Sequence, residues 1–310
     1  MDRKNIEIVL LSGFLGSGKS TLLKQLIQIE RNNGRKIGVL MNELGDTSID
    51  SSIIPSETPL KEMLNGCICC TIQGELSLQL NTLLTEHELD VIYIEATGAA
   101  HPLEVIDSCT HPLIAGKVSI KSVITVINAL QWHEGKMSNK LKKLIRAQAE
   151  FADIVLINKI DQLPENALSL IKNSVKELNQ QALILPVNYS KIDPSILYTS
   201  DNERNKPAHS HINDSHVHDH LHLKTITVSI KQPIERVQFI QFLKHLKGHL
   251  FRVKGFIKLQ ETPGVFLFNY AYGDPVFERY TIQKITKQVL VFIGEGLDER
   301  KIYKGIRQLE

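Results

Sequence analysis

"GFLGSGKS", Gly13–Ser20, decides the fold. It fits the pattern G-x-x-x-x-G-K-[ST]. A short apolar run, Ile6–Leu11, precedes it, and the amphipathic stretch "STLLKQLIQIE" (20–30) overlaps its end and follows it. Strand, glycine-rich loop and helix in that order give the pattern its mechanical meaning. Gly13, Gly16 and Gly18 permit backbone angles that other residues resist. The loop amides, from Ser17 to Thr21, and the N-terminus of the helix can then point at phosphates. Lys19 is expected on the β- and γ-phosphates and Ser20 on Mg²⁺. A glycine turn that binds nothing is the alternative.

Further apolar runs lie outward from this loop: Ile37–Met41, Val91–Glu95, Val123–Asn128, Ile154–Asn158 and Ile184–Val187. They do not alternate with polar residues, which suits strands buried on both faces of a parallel sheet. Helical stripes lie between several of them. Leu22, Leu23, Leu26 and Ile27 form one, and Leu170, Ile171, Val175 and Leu178 another. The expected class is α/β: a P-loop NTPase domain with a doubly wound, mostly parallel sheet over residues 1–195. A histidine-rich, polar linker (196–222) follows, then a smaller α+β domain (223–310). In that domain "LKTITVSI", "LFRVKGFIKL", "VFLFNYAY" and "QVLVFIG" read as strands, and "IERVQFIQFLKHL" and "DERKIYKGIRQL" as helices. Asp298 is the expected cap of the last helix.

The totals exclude several classes. A net charge of +2 from 36 basic and 34 acidic residues, in a chain of 310, gives no reason to expect nucleic acid or an anionic membrane as partner. Hydrophobic content of 42% supports an ordinary core without staples. Apolar runs are too short for a signal peptide or a membrane span. The sequence therefore reads as cytoplasmic, with reduced thiols, and nothing in it excludes a homodimer.

"INKID", 157–161, supplies N-K-x-D at a strand end. Guanine offers two adjacent donors that the carboxylate of Asp161 can accept together. Asn158 is expected on the other edge of the base and the Lys159 stem over its face. GTP is thus favoured over ATP. Glu95 ends another strand, where a carboxylate can hold Mg²⁺ or orient its waters. Thr97 and Gly98 follow at the place of a γ-phosphate sensor. Glu43 ends the strand 37–41 region in a similar way. Cys67, Cys69 and Cys70, in "NGCICC", lie between Glu43 and Glu95. Three thiolates offer soft ligands for Zn²⁺, with redox chemistry as the alternative. Cys109 stands apart and reads as structural.

In order, "GFLGSGKSTLL", "NELG", "LNGCICC", "IEATGAAHP" and "LINKID" resemble the motifs of the CobW-type GTPases, metallochaperones related to the urease and hydrogenase maturation GTPases. "RVKGF" and "LVFIGEGLD" resemble their C-terminal domain. The resemblance covers nearly the whole chain. It implies Mg²⁺-dependent GTP hydrolysis coupled to delivery of a transition metal, most often zinc with Co²⁺ as an alternative, to a metal-dependent client protein. Catalytic roles then fall on Lys19, Glu95 and Glu43, with Glu43 also a metal ligand. Two departures stand out. Asn128 stands where the family usually has aspartate, and, with only a few residues before the first strand, the docking interaction of eukaryotic zinc-transfer members is not expected.

His209, His211, His216, His218, His220 and His222 crowd the linker. Imidazoles at that density can collect Zn²⁺, Co²⁺ or Ni²⁺ near the cysteines. Rival readings are an ATP-using enzyme on the same fold, and a passive metal buffer with a vestigial GTPase.

Overall fold

A computed structural model describes residues 5–43, 58–64, 72–197, 224–246, 248–271, 273–281 and 288–310; side chains at 42–43, 60–64, 72–75 and 197 lie outside the description. The nucleotide-binding sheet contains β1 (Ile6–Ser12), β2 (Ile37–Glu43), β3 (Leu60–Leu64), β4 (Val91–Glu95), β5 (Val118–Asn128), β6 (Ile154–Asn158) and β7 (Leu183–Val187). Their order is β3-β2-β4-β1-β5-β6-β7. Pairing is parallel from β3 through β1 and again from β5 through β7. Helices α1 (Lys19–Asn32), α2 (Ile72–Glu86), α3 (Pro102–Cys109), α4 (Ala129–Glu134), α5 (Asn139–Glu150) and α6 (Ala167–Leu178) connect the strands.

The order explains where chemistry belongs. Chain running out of β1 goes first toward β2 and β4 on one side, then returns to β5, β6 and β7 on the other. β1 therefore sits where the winding direction reverses, and the crevice beyond its carboxyl end is the ligand position of such sheets. Both faces of β1 and β4 are apolar, as continuous runs of Ile, Val and Leu require. Leu22, Leu23, Leu26 and Ile27 of α1 pack against Val9, Leu11, Val39 and Tyr93 of the sheet. The second helical stripe is shifted from its expected position. Ala167, Ile171 and Val175 are the buried residues of α6, while Leu170 is 64% exposed. A residue adjacent to Ile171 lies about 100° around a helix, so one side of the stripe must face out.

A second, antiparallel sheet has the order β11-β10-β9-β12-β8, built from β8 (Lys224–Ile230), β9 (His249–Lys258), β10 (Val265–Ala271), β11 (Asp274–Arg279) and β12 (Gln288–Glu295). Helices α7 (Arg236–His245) and α8 (Glu299–Leu309) supply Phe239, Leu243, Ile302 and Ile306 to one core with Val228, Val253, Phe268 and Phe292. Asp298 caps α8, its carboxylate accepting from the Lys301 amide at 3.1 Å.

The two compact units do not follow a single cut in the sequence. Among the described residues, Asn5 and Asp107–Ser119 group with those from 224 onward, whereas the others up to residue 197 form the other unit. Ion pairs lie within this group. Asp107 is buried and ion-paired with Arg252 at 3.1 Å and with Lys254 at 3.4 Å, both on β9. A buried carboxylate is held in place by such partners because removing one strands the other charge. Cys109, next on the same segment, is also buried, and burial pushes its thiol well above the usual range. That suits a structural cysteine rather than a reactive one.

Candidate nucleotide-binding site

The glycines of the phosphate loop are each required for a different reason. Gly13 has φ 131°, and a Cβ there would lie 2.1 Å from the Val126 carbonyl of β5. Gly18 has φ 116°, and its Cβ would meet the Asn158 amide at 2.4 Å and the Ser190 hydroxyl at 2.7 Å. No other residue fits either place. α1 begins immediately after, so its first amides face the loop as a ready anion site. Lys19 is buried and its Nζ donates across the loop to the Phe14 carbonyl at 3.4 Å.

Ser20 and Glu95 come together although 75 residues separate them. The Ser20 hydroxyl donates to Glu95 Oε1 at 3.0 Å. Their elements dictate this: Glu95 ends β4 in register with Leu11 of β1, two residues before Gly13. Gly98, in the hydrogen-bonded turn Thr97–Ala100, presses on the loop from the same side. A Cβ at Gly98 would lie 2.6 Å from the Leu15 amide nitrogen.

Asn158 is held by protein partners. Its Nδ2 donates to the Ser17 carbonyl at 2.7 Å and to the Ser190 hydroxyl at 3.0 Å, and its Oδ1 accepts from the Ser190 amide at 2.9 Å. The Ser190 hydroxyl in turn donates to the Gly18 carbonyl at 3.0 Å. Asn158 thus ties β6 and the loop after β7 to the phosphate loop, a role the sequence does not announce beside the expected contact with the base edge. Both Nδ2 hydrogens and one Oδ1 acceptor position are engaged within the protein. Asp161 is exposed, with its amide anchored by the Asn188 side chain at 3.1 Å. Lys159 takes a left-handed conformation, φ 63°, that turns the chain from β6 into the short helix Ile160–Gln162.

Asn188 and Ser190 escaped the sequence reading. Their signal was available: they follow the strand that pairs in parallel with the N-K-x-D strand, so they share its carboxyl edge. Tyr189 and Ser190 both adopt positive φ, 53° and 54°. Non-glycine residues hold that conformation at a cost of order 1 kcal/mol or more each. The hydrogen bonds of Ser190 compensate.

The CobW/HypB/UreG nucleotide-binding domain matches residues 7–186, and the cobalamin synthesis protein cobW C-terminal domain matches residues 223–310. The chain belongs to the CobW/HypB/UreG family. It is 28% identical over 326 residues to the zinc chaperone YjiA of Escherichia coli K12, covering 98% of this chain and 99% of that one. It is 25% identical over 307 residues to zinc-regulated GTPase metalloprotein activator 1 of Dictyostelium discoideum, covering 84% of this chain and 64% of that protein. The chain thus spans a little under two thirds of that longer relative. The crystal structure of the Zn(II)-bound E. coli YjiA GTPase is 22% identical, with a TM-score of 0.49, over 99% of this chain and 100% of that one.

Within this CobW-family chain, Glu43 ends β2 directly opposite Leu64 at the end of β3. Cys67, Cys69 and Cys70 and the side chain of Glu43 lie outside the described residues. So do His209, His211, His216, His218, His220 and His222. Asn128, the departure from the family pattern, caps α4: its Oδ1 accepts from the Gln131 amide at 3.1 Å. Asparagine and aspartate cap about equally well. The substitution therefore leaves this helix start intact. Among the described residues no helix is long and apolar enough to cross a membrane.

Proposed function

We propose that this protein is a GTP-hydrolysing metallochaperone that carries a divalent transition metal, zinc foremost, to a metal-dependent client protein. The single observation that carries the nucleotide half is the Ser20–Glu95 contact at 3.0 Å beside the phosphate loop. It joins the hydroxyl and the carboxylate expected around Mg²⁺ at the mouth of an amide-lined anion site. These are hard oxygen donors, and the family's Mg²⁺ fits them better than a soft metal. Ser20 would hold the ion directly, with Glu95 on it or on its waters. When bound, the ion supplies neutralisation of charge on the β- and γ-phosphates.

The residues of the chain then have distinct tasks. Amides from Gly13 to Thr21 orient the phosphates, and Lys19 exchanges the Phe14 carbonyl for phosphate oxygen. Asp161 accepts from guanine while Asn158 and Ser190 hold the loop that presents it. Gly98 and Thr97 stand where a terminal phosphate would be sensed. Cys67, Cys69 and Cys70, with Glu43, form the cargo site for metal, and the linker histidines collect metal for it. The names of the relatives, zinc chaperones and a zinc-regulated GTPase, support zinc as cargo. Hydrolysis, by releasing the switch contacts, would loosen the metal site. By linkage, metal must then change GTP affinity by the factor that GTP changes metal affinity.

The test is a pair of titrations. Zn²⁺ affinity is measured with GDP and with a non-hydrolysable GTP analogue, on the full chain and on Cys69→Ser. A difference of fivefold or more in the first and none in the second is expected. Equal affinities in the full chain refute the coupling. Lys19→Ala separates chaperone from buffer: a buffer without nucleotide dependence still protects cells from zinc limitation or excess, and a chaperone does not.

A further inference from the structure

Gln148 presents a problem that packing alone does not solve. It lies on the stripe of α5 that also buries Ile145 and Ala149, and it is fully buried. An apolar residue of similar length would fit that stripe without the cost of burying an amide. The amide instead reaches the turn after β4. Its Nε2 donates to the Gly98 carbonyl and to the Ala100 carbonyl, each at 3.2 Å. Two carbonyls on one side fix the orientation of the amide, because only its NH₂ can face both. The backbone beneath is anchored as well: the Thr125 hydroxyl of β5 donates to the Gln148 carbonyl at 2.6 Å.

The other half of the amide is idle. Gln148 Oε1 is buried and accepts from no donor among the described residues. A buried acceptor left alone costs about 1–3 kcal/mol and calls for a reason. The place of the turn suggests one. Gly98 lies against Phe14 and Leu15 of the phosphate loop, so the turn and the loop are packed against each other. A side chain with two donors engaged and one acceptor free can serve two arrangements of the same turn. In one it holds carbonyls, and in the other it receives a backbone amide.

We propose that Gln148 is a positioning residue for nucleotide sensing. Its amide holds the Thr97–Ala100 turn in one nucleotide state, and its free oxygen stabilises the turn in the other. Gln148 acts through the Gly98 and Ala100 carbonyls that it holds. The inference rests on the GTP reading above.

The test uses the full chain with Mg²⁺. Affinities for GDP and for a non-hydrolysable GTP analogue are measured in wild type, in Gln148→Met and in Gln148→Asn. Methionine preserves the volume and removes both functions of the amide; asparagine keeps the amide but withdraws it by one methylene. The expected result is a change of fivefold or more in the ratio of the two affinities, with stability altered far less in the asparagine variant. A purely structural role would weaken both affinities together, so an unchanged ratio in folded variants overturns the proposal. A second measurement needs no variant. Hydrogen exchange of the amides of residues 96–106 in wild type is expected to differ between the GDP and GTP-analogue forms, and identical protection also overturns it. Failure of wild type to bind either guanine nucleotide would instead refute the underlying GTP reading.

Discussion

Asn158→Ala distinguishes a loop tether from a base contact. The side chain is 2% exposed and supplies the hydrogen bonds at 2.7 Å to the Ser17 carbonyl, 3.0 Å to the Ser190 hydroxyl and 2.9 Å from the Ser190 amide. Truncation leaves the Ser17 carbonyl and the Ser190 amide without these partners in a buried site. At about 1–3 kcal/mol for each of the two stranded groups, the loss of folding stability is about 2–6 kcal/mol. That is a large share of the roughly 5–15 kcal/mol of an ordinary domain. Gly18 and Ser190 are bonded to each other, so the phosphate loop itself loosens and nucleotide affinity falls for every base. The assay is urea unfolding of nucleotide-free protein, beside binding of GDP, IDP and ADP. A tether predicts the stability loss without nucleotide and an equal weakening of all three ligands. The reasoning is refuted if unfolding free energy stays within about 0.5 kcal/mol of wild type, the range of a neutral surface change, while guanine discrimination disappears.

Other perturbations test separate parts. Gly98→Ala forces a methyl to within 2.6 Å of the Leu15 amide nitrogen, and nucleotide binding should be lost while the far-UV circular dichroism is retained. Glu95→Gln should lower GTP turnover by about 100-fold or more, on the scale of losing one preorganised electrostatic group, and should raise the Mg²⁺ needed for half-maximal rate. Asp161→Asn should shift preference from GTP to XTP in competition binding, because the amide donates where the carboxylate accepted. His111 is held near a pKa of about 4, first by burial and then by the charge of Lys254. Its folded value lies below its unfolded value, so the unfolded chain binds more protons between the two. Stability should therefore be full above about pH 6.5 and fall as pH drops toward 4, and His111→Gln should flatten that part of the urea midpoint profile.

The phosphate loop was legible in the sequence because its parts are local in the chain. A glycine loop, a lysine and a serine within eight residues need no knowledge of the fold, and buried parallel strands announce themselves as apolar runs. What it concealed depends on neighbours distant in the chain. "LKEML" and "DPVFER" gave no strand signal because β3 and β11 lie at sheet edges, where one side needs no partner and charged residues are favoured. Asp107 reads as one more polar residue in a helix until Arg252 and Lys254 arrive from 145 and 147 positions later. Asn158 shows the same limit at the site. Its motif announces a base contact, yet the atoms it meets belong to Ser17 and Ser190, brought there by the order of β1, β6 and β7. On the proposed reading the N-K-x-D motif has two tasks on one strand end: the asparagine fixes the phosphate loop, and the exposed aspartate reads the base. Loss of the first should impair all nucleotides, and loss of the second only guanine. The two variants at 158 and 161 therefore separate what the motif joins.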